Sequence, residues 1–357
     1  MKIKKISESR KQIDGLDREI VRLLNRRAEL VLAIGKAKNR ARAETYVPSR
    51  EKAVMNNVAR VNRGPLSSSS LASIYREIMS AALALEKNIK VAYLGPPATF
   101  SHQAALRRFG ESVAYRPCET IDDVFDCVQR EESDYGVVPV ENSTEGAVAS
   151  TLDRFADTPL KICAEIYQPV SHYLLASGTC NKVKRIFTHP NVFGQCRKWL
   201  REEMPQAEQI PAASTVRAAE IAARDKHAAA IAGRLAAEFY RLKILAADIQ
   251  DVSGNMTRFF VIGKSPAQKT GADKTSLLFS VKHHAGSLHR ALGAFRKYNL
   301  NMTRIESRPS RLKAWEYLFF VDIEGHPDDV KVRKALHELH KNCLLLTVLG
   351  AYPKAVE

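Results

Sequence analysis

Apolar residues near the start of the chain fall at Ile13, Leu16, Ile20, Leu23, Leu30 and Ile34, a three-four spacing that marks one helical seam. Residues 6–40 therefore read as one long helix, and continuing its seam between Leu23 and Leu30 lands on Arg27. Pro48 suits a first helical position, and a second helix is expected over 49–62. "RGPLSSSS" breaks the chain, and one of its serines is expected to cap a third helix over 70–87. Helices of such unequal length make a poor monomeric core, so the long first helix is expected to pair with a second copy. At "KNIKVAYLGP" the pattern changes to strand. From there to about 265, strands such as "IKVAYLG", "YGVVPV" and "RIFTHP" alternate with helices such as "TIDDVFDCVQRE". That alternation predicts an α/β region with a largely parallel sheet. "GKSPAQKTGADK" reads as a linker, and the remaining elements spell βαββαβ.

The 357 residues, 45% of them hydrophobic, allow two or three domains with their own cores. Six scattered cysteines without a C-x-x-C pair argue against a zinc site or a secreted disulfide framework, so no metal is expected. The basic start has no apolar stretch behind it and no run approaches a membrane span, which predicts a cytoplasmic protein. The net charge of +16 invites a nucleic-acid partner. Residues 1–89 hold 19 Lys+Arg against 9 Asp+Glu, yet show no helix-turn-helix, zinc-finger or RNP pattern. A small anion is the rival partner, and the positions of the cations favour it. From Arg27 to Lys38 is eleven residues, about 1100° of helix rotation, so both side chains leave one face ~16 Å apart. A buried cation without a counterion is costly, so two in-phase cations invite an anion between them. Arg10 lies roughly 100° away around the helix and could instead serve a partner's site in an antiparallel pair.

"ESRKQIDGLDREIVRLLNRRAELVLAIGKAK…YVPSREK" resembles the all-helical chorismate mutases, which are intertwined dimers. The resemblance implies that Arg10 from the partner, Arg27, Lys38 and Arg50 hold the two carboxylates of chorismate, with Glu51 on its hydroxyl. Val47, Ala82 and Glu86 depart from the enterobacterial pattern of Asp, Ser and Gln. Glu86 can donate to the ether oxygen only when protonated, which predicts mutase turnover that falls as pH rises.

"LGPPATFSHQAA", "VVPVENSTEGAV", "THPNVFGQCRKWL" and "NMTRFFVIG" occur in the order and spacing of prephenate dehydratases. This resemblance implies two α/β lobes around a cleft, like small-molecule binding proteins, with one lobe at 90–168 plus 254–265 and the other at 169–253. It makes Thr257 the central hydroxyl. Glu141, Asn142, Ser143, Thr99, Ser101 and Gln195 would line the cleft, with His189 nearby and Arg258 a carboxylate anchor. Ala98 replaces the usual Gly of the first motif. Glu141 is the expected proton source for the Thr257 hydroxyl, which is too weak an acid to act alone.

The segment at 274–353 resembles an ACT domain. In related dehydratases the equivalents of Gly286, Ser287, Leu288 and His289 and of Glu306, Ser307, Arg308 and Pro309 frame a phenylalanine site between paired modules. The whole chain thus reads as an all-α mutase domain (1–89), a two-lobed α/β dehydratase domain (90–265) and an α+β ACT domain (274–357). The expected enzyme takes chorismate through prephenate to phenylpyruvate without metal or organic cofactor. It would answer to phenylalanine and work as a homodimer that could pair into tetramers. The rivals are a dehydratase with a silent mutase domain and a non-enzymatic amino-acid sensor.

Overall fold

The computed structural model describes residues 2–41, 46–310 and 316–355. They form two compact units, Met1–Ile89 with Phe109–Ala114 and Lys90–Arg108 with Tyr115–Glu357. The first contains α1 (Lys2–Ala41), α2 (Pro48–Val61) and α3 (Ser68–Glu86). Pro48 opens α2, and Ser67 caps α3 by accepting from the Ser70 backbone N–H at 3.0 Å. Gly35 is buried where α1 meets α3: a Cβ there would lie 2.6 Å from Glu86 Cγ, so any larger residue would displace the Glu86 side chain. The seam of α1 finds no such cover. Ile13, Leu16, Ile20, Leu23, Leu30 and Ile34 are 52–62% exposed, an apolar stripe along most of the helix.

In the second unit the chain runs through β1 (Lys90–Leu94), α4 (Phe100–Phe109), β2 (Ala114–Cys118), α5 (Ile121–Gln129), β3 (Tyr135–Asn142), β4 (Gly146–Ala147), α6 (Ala149–Asp157) and β5 (Lys161–Pro169). It continues with β6 (Tyr173–Ala176), β7 (Arg185–Thr188), α7 (Pro190–Gln195), α8 (Arg197–Glu203), β8 (Glu208–Pro211), α9 (Thr215–Arg224), β9 (Ala228–Ala232), α10 (Arg234–Tyr240) and β10 (Lys243–Ala246). β11 (Met256–Gly263) then returns to the first sheet, whose order is β2-β1-β3-β11-β5, with β4 on β3. The second sheet runs β10-β6-β9-β7-β8.

These sheets are mixed, which corrects the largely parallel expectation. β1 and β3 are parallel, as is β7 with β8 and with β9, but β11 is antiparallel to both β3 and β5. The reason is connectivity. β5 carries the chain out of the first lobe and β11 brings it back, so the two cross the junction in opposite senses.

The last part is β12 (Asp273–Ser280), α11 (Ser287–Lys297), β13 (Met302–Pro309), β14 (Tyr317–Glu324), α12 (Val330–Lys341) and β15 (Leu345–Pro353), in sheet order β13-β14-β12-β15. One face of this sheet packs Leu277, Phe279, Val321 and Ile323 under α11 and α12. The other sends Leu278, Phe320, Leu349 and Tyr352 into the core of the first lobe beside Phe260 and Ile262. All eight residues of β12 are buried, as a strand covered on both faces requires. Gly350 is the tightest point: a Cβ there would sit 2.2 Å from the Ile162 carbonyl oxygen, and the neighbour is backbone that cannot rotate away. Gly350→Ala is expected to destabilise the protein by about 1–3 kcal/mol, seen as a lower melting temperature, whereas Gly293→Ala, inside α11 with nothing nearby, is expected to raise stability by about 0.5–1 kcal/mol. Among the described residues no helix is long and apolar enough to cross a membrane, and no group of His, Cys, Asp and Glu is arranged to hold a metal ion.

Candidate functional site

In the helical unit, Arg27 is half-buried and Arg10 exposed on α1, while Arg50 is exposed and Glu51 half-buried in the first turn of α2. Among the described residues Arg27 is tied to no carboxylate. Lys38 is: its Nζ lies 3.1 Å from Glu86 Oε1, with the Glu86 side chain only 6% exposed. Val47 and Ala82 are both half-buried.

The second unit brings Thr257 and Asn142 face to face, because β11 and β3 pair with these two residues opposite each other. Asn142 Nδ2 donates to Thr257 Oγ1 at 2.8 Å and to Asn255 Oδ1 at 2.9 Å. Its carbonyl oxygen accepts from the backbone N–H groups of Thr144 at 2.9 Å and Glu145 at 3.1 Å, and from the Thr144 hydroxyl at 2.6 Å. The amide is thus locked by its own turn, and the threonine oxygen is engaged as an acceptor. Ser143 ties the same corner: its Oγ accepts from the Met256 N–H at 3.0 Å and lies 3.4 Å from Asn255 Oδ1. Thr99 donates to the Leu94 carbonyl at 3.0 Å and accepts from the His102 N–H at 3.2 Å, in the role of a loop brace, and Ser101 is buried. Ala98 adopts φ +71°, a left-handed conformation that costs about 1–2 kcal/mol in an L-residue. Its methyl is buried in the core of the second lobe with Leu175 and Phe187, which a glycine would forgo.

A second polar chain links the lobes. Gln195 Nε2, at the end of α7, donates to Glu145 Oε1 at 2.9 Å, and Asn191 Nδ2 reaches the same oxygen at 3.3 Å. The other end of the Gln195 amide meets His172 Nε2 at 2.6 Å. Burial pushes the His172 pKa down, while the Gln195 bond and the Glu145 charge pull it partly back. A neutral ring donates from Nε2 and so fixes the orientation of the Gln195 amide. His189 caps α7 through Nδ1, which accepts from the Asn191 N–H at 3.4 Å. Glu145, Asn191, His172 and Asn255 escape the sequence reading; the adjacency of Glu145 to the "ENST" turn was the available signal.

Glu141 and Arg258 are not where they were expected. Side chains alternate along a strand, so the neighbours of Asn142 and Thr257 point through the sheet to its far side. There Arg304 Nε of β13 lies 3.0 Å from Glu141 Oε2. Arg258 is buried between Glu165 at 2.7 Å and Asp322 at 2.5 Å, with Tyr352 Oη at 3.1 Å. Its guanidinium is saturated by protein and is not available as a carboxylate anchor beside Thr257. Burial alone would lower its pKa; Tyr352, Asp322 and Glu165 together outweigh that and raise it. Lys274 Nζ joins Glu165 at 3.1 Å, and Ser276 bridges Asp322 and Tyr352 at 2.5 and 2.6 Å. Each buried charge in this cluster has a partner of opposite sign, the condition under which such burial is tolerated.

In the C-terminal module Gly286 holds φ +77° at the start of α11. Ser287 is buried, Leu288 half-buried and His289 exposed. A cavity of about 330 Å³ lies against Ser287 and Leu288, walled by Val281, Tyr317 and Phe319. Glu306, Ser307, Arg308 and Pro309 end β13 at the sheet edge and do not line it. Arg308 Nη2 instead meets both oxygens of Asp153 in α6, at 3.1 and 3.2 Å.

Three family models match the chain in order: chorismate mutase type II over 9–87, prephenate dehydratase over 91–267 and ACT domain over 275–341. A bifunctional chorismate mutase/prephenate dehydratase from Aquifex aeolicus is 49% identical, the match covering 99% of each chain. The structure of an Arthrobacter aurescens prephenate dehydratase in complex with L-Phe is similar at TM-score 0.70 and 34% identity, over 75% of this chain and 90% of that one. GqqA, described as a novel type of quorum quenching acylase, is similar at TM-score 0.68 and 30% identity, over 74% of this chain and 98% of that one. Helical mutase unit, two-lobed dehydratase region and ACT module follow one another at nearly full length, and the chain belongs to the bifunctional chorismate mutase/prephenate dehydratase family.

Proposed function

We propose that Thr257 protonates or hydrogen-bonds the departing hydroxyl of prephenate, that Arg27, Lys38 and Arg50 with Arg10 of the partner subunit hold chorismate, and that phenylalanine acts at the ACT module. The dehydratase reading rests on one bond, Asn142 Nδ2 to Thr257 Oγ1 at 2.8 Å. The threonine oxygen accepts there, so its own O–H proton is free to be donated to a ligand. Prephenate plus one proton gives phenylpyruvate, CO2 and water: the ring carboxylate leaves as CO2 while the hydroxyl leaves with the proton. Asn142, Asn255, Ser143 and Gln195 are neutral. A cation on the departing carboxylate would stabilise the ground state more than the transition state, and neutral donors avoid that. Glu145 holds Gln195 and Asn191 across the junction and so draws the second lobe onto the first. Acyl transfer through a threonine nucleophile is disfavoured, since the Thr257 oxygen is held by an amide donor rather than by a base.

In the mutase unit both carboxylates persist through the rearrangement, so fixed cations suit the chemistry by holding the compact reactive conformer. Glu86 donates to the ether oxygen only when it carries a proton. Glutamine supplies that donor permanently, so Glu86→Gln is expected to raise mutase turnover; an unchanged or lower rate would end the role. The exposed stripe on α1 is covered by a second copy, which gives a homodimer. We place the two activities in the cytoplasm. Incubating the purified protein with chorismate and following phenylpyruvate, with and without phenylalanine, tests the whole reading. Tight binding without turnover would favour a sensor, and prephenate consumption without chorismate consumption a silent mutase.

A further inference from the structure

The strand that carries the candidate effector segment is also the strand that touches the dehydratase site from behind. Along β13, Arg304, Glu306 and Arg308 are half-buried while Thr303, Ile305, Ser307 and Pro309 are exposed. The half-buried face docks on two carboxylates of the first lobe: Arg304 on Glu141 at 3.0 Å and Arg308 on Asp153 at 3.1 Å. Glu141 is the chain neighbour of Asn142, whose amide holds Thr257. The two junctions between module and lobe differ in kind. Around Arg258 every charged group is met by an opposite charge, and Tyr352 and Ser276 close the network. Arg304, with its side chain 8% exposed, meets Glu141 as an ion pair only, and its buried Nε and Nη2 make no hydrogen bond. A buried donor left unsatisfied favours any rearrangement that supplies an acceptor, so this junction is the one poised to open.

We infer that Arg304 is a positioning residue of the dehydratase reaction: through Glu141 it holds Asn142 and Thr257 in register, and an effector gripping 306–309 draws β13 and Arg304 off Glu141. The inference rests on the phenylalanine reading of the ACT module and names its route to the active site. On this inference the arrangement with Arg304 on Glu141, at 3.0 Å, is the active one. Removing the pair mimics the inhibited one. By linkage, a change that disfavours the active arrangement must help phenylalanine bind.

The test uses the full chain, with dehydratase turnover and equilibrium dialysis of labelled phenylalanine measured in parallel. Arg304→Gln is expected to lower kcat about fivefold with KM within about twofold, to lose most inhibition by phenylalanine, and to bind phenylalanine as tightly as the wild type or more so. Arg304→Lys, which keeps the charge, is expected to recover part of both kcat and inhibition. Asp153→Asn releases the same strand at its other end and is expected to blunt inhibition in the same direction without weakening phenylalanine binding; it decides the matter where Arg304→Gln fails to fold. Wild-type inhibition in both Arg304→Gln and Asp153→Asn, or inhibition lost only in step with phenylalanine binding, overturns this route and leaves the effector reading standing. A wild-type chain that neither binds nor answers phenylalanine overturns both.

Discussion

Thr257→Val is expected to lower dehydratase kcat about 100- to 1000-fold, the usual loss when one preorganised donor to a developing charge is removed, while mutase turnover stays at the wild-type level. Valine matches threonine in shape, so the strand pairing of β11 with β3 and β5 is retained. Asn142 loses one acceptor but keeps Asn255 at 2.9 Å and its own turn, so the amide is not cast loose. The change therefore isolates the hydroxyl. Thr257→Ser restores it with the same Asn142 donor and is expected to stay within about tenfold of wild type. Thr257→Ala should fall with valine, since both lack the oxygen. Following phenylpyruvate formation from prephenate, and prephenate formation from chorismate on the same preparations, separates lost chemistry from lost folding. Wild-type dehydratase rates in Thr257→Val would remove threonine from the reaction and, with it, the argument from the Asn142 bond.

Much of this was legible in local pattern. The three-four seam of α1, Pro48, the serine cap of α3 and the βαββαβ order all depend on neighbours within a few turns, and the structure forms α1, α2, α3 and the C-terminal module from them. The partners of Arg258 and Glu141 were harder. Asp322 lies 64 residues from Arg258, and Arg304 belongs to a different sheet from Glu141. No local rule pairs them. Two signals still pointed that way. Alternation on β11 puts Arg258 on the face opposite Thr257, so one strand could not send both into one cleft. The near-continuous apolar runs "TSLLFSV" and "WEYLFFVDIE" are what a sheet buried on both faces requires. A C-terminal module covered on one side by its own helices needed something against the other. That neighbour proved to be the first dehydratase lobe.

The mutase unit makes the other large prediction, and here the decisive feature is a stripe with nothing over it. Arg27 sits within a seam whose apolar residues are 52–62% exposed, so a second copy that buries the seam also closes over Arg27. In an antiparallel pair related by a two-fold axis, each site would take Arg27 from one protomer and Arg10 from the other. Arg27→Ala and Arg10→Ala are each expected to reduce kcat/KM for chorismate about 100-fold or more, since each removes a positive group from a doubly charged substrate. Co-expression of the two variants then makes a prediction that no monomeric site can match. Random assortment gives half heterodimers, and each heterodimer carries one site with both arginines intact and one with neither. About a quarter of wild-type mutase activity should return from two nearly inactive parents. Recovery no greater than the sum of the parents would mean that each chain builds its site alone, and that the exposed seam serves some purpose other than catalysis.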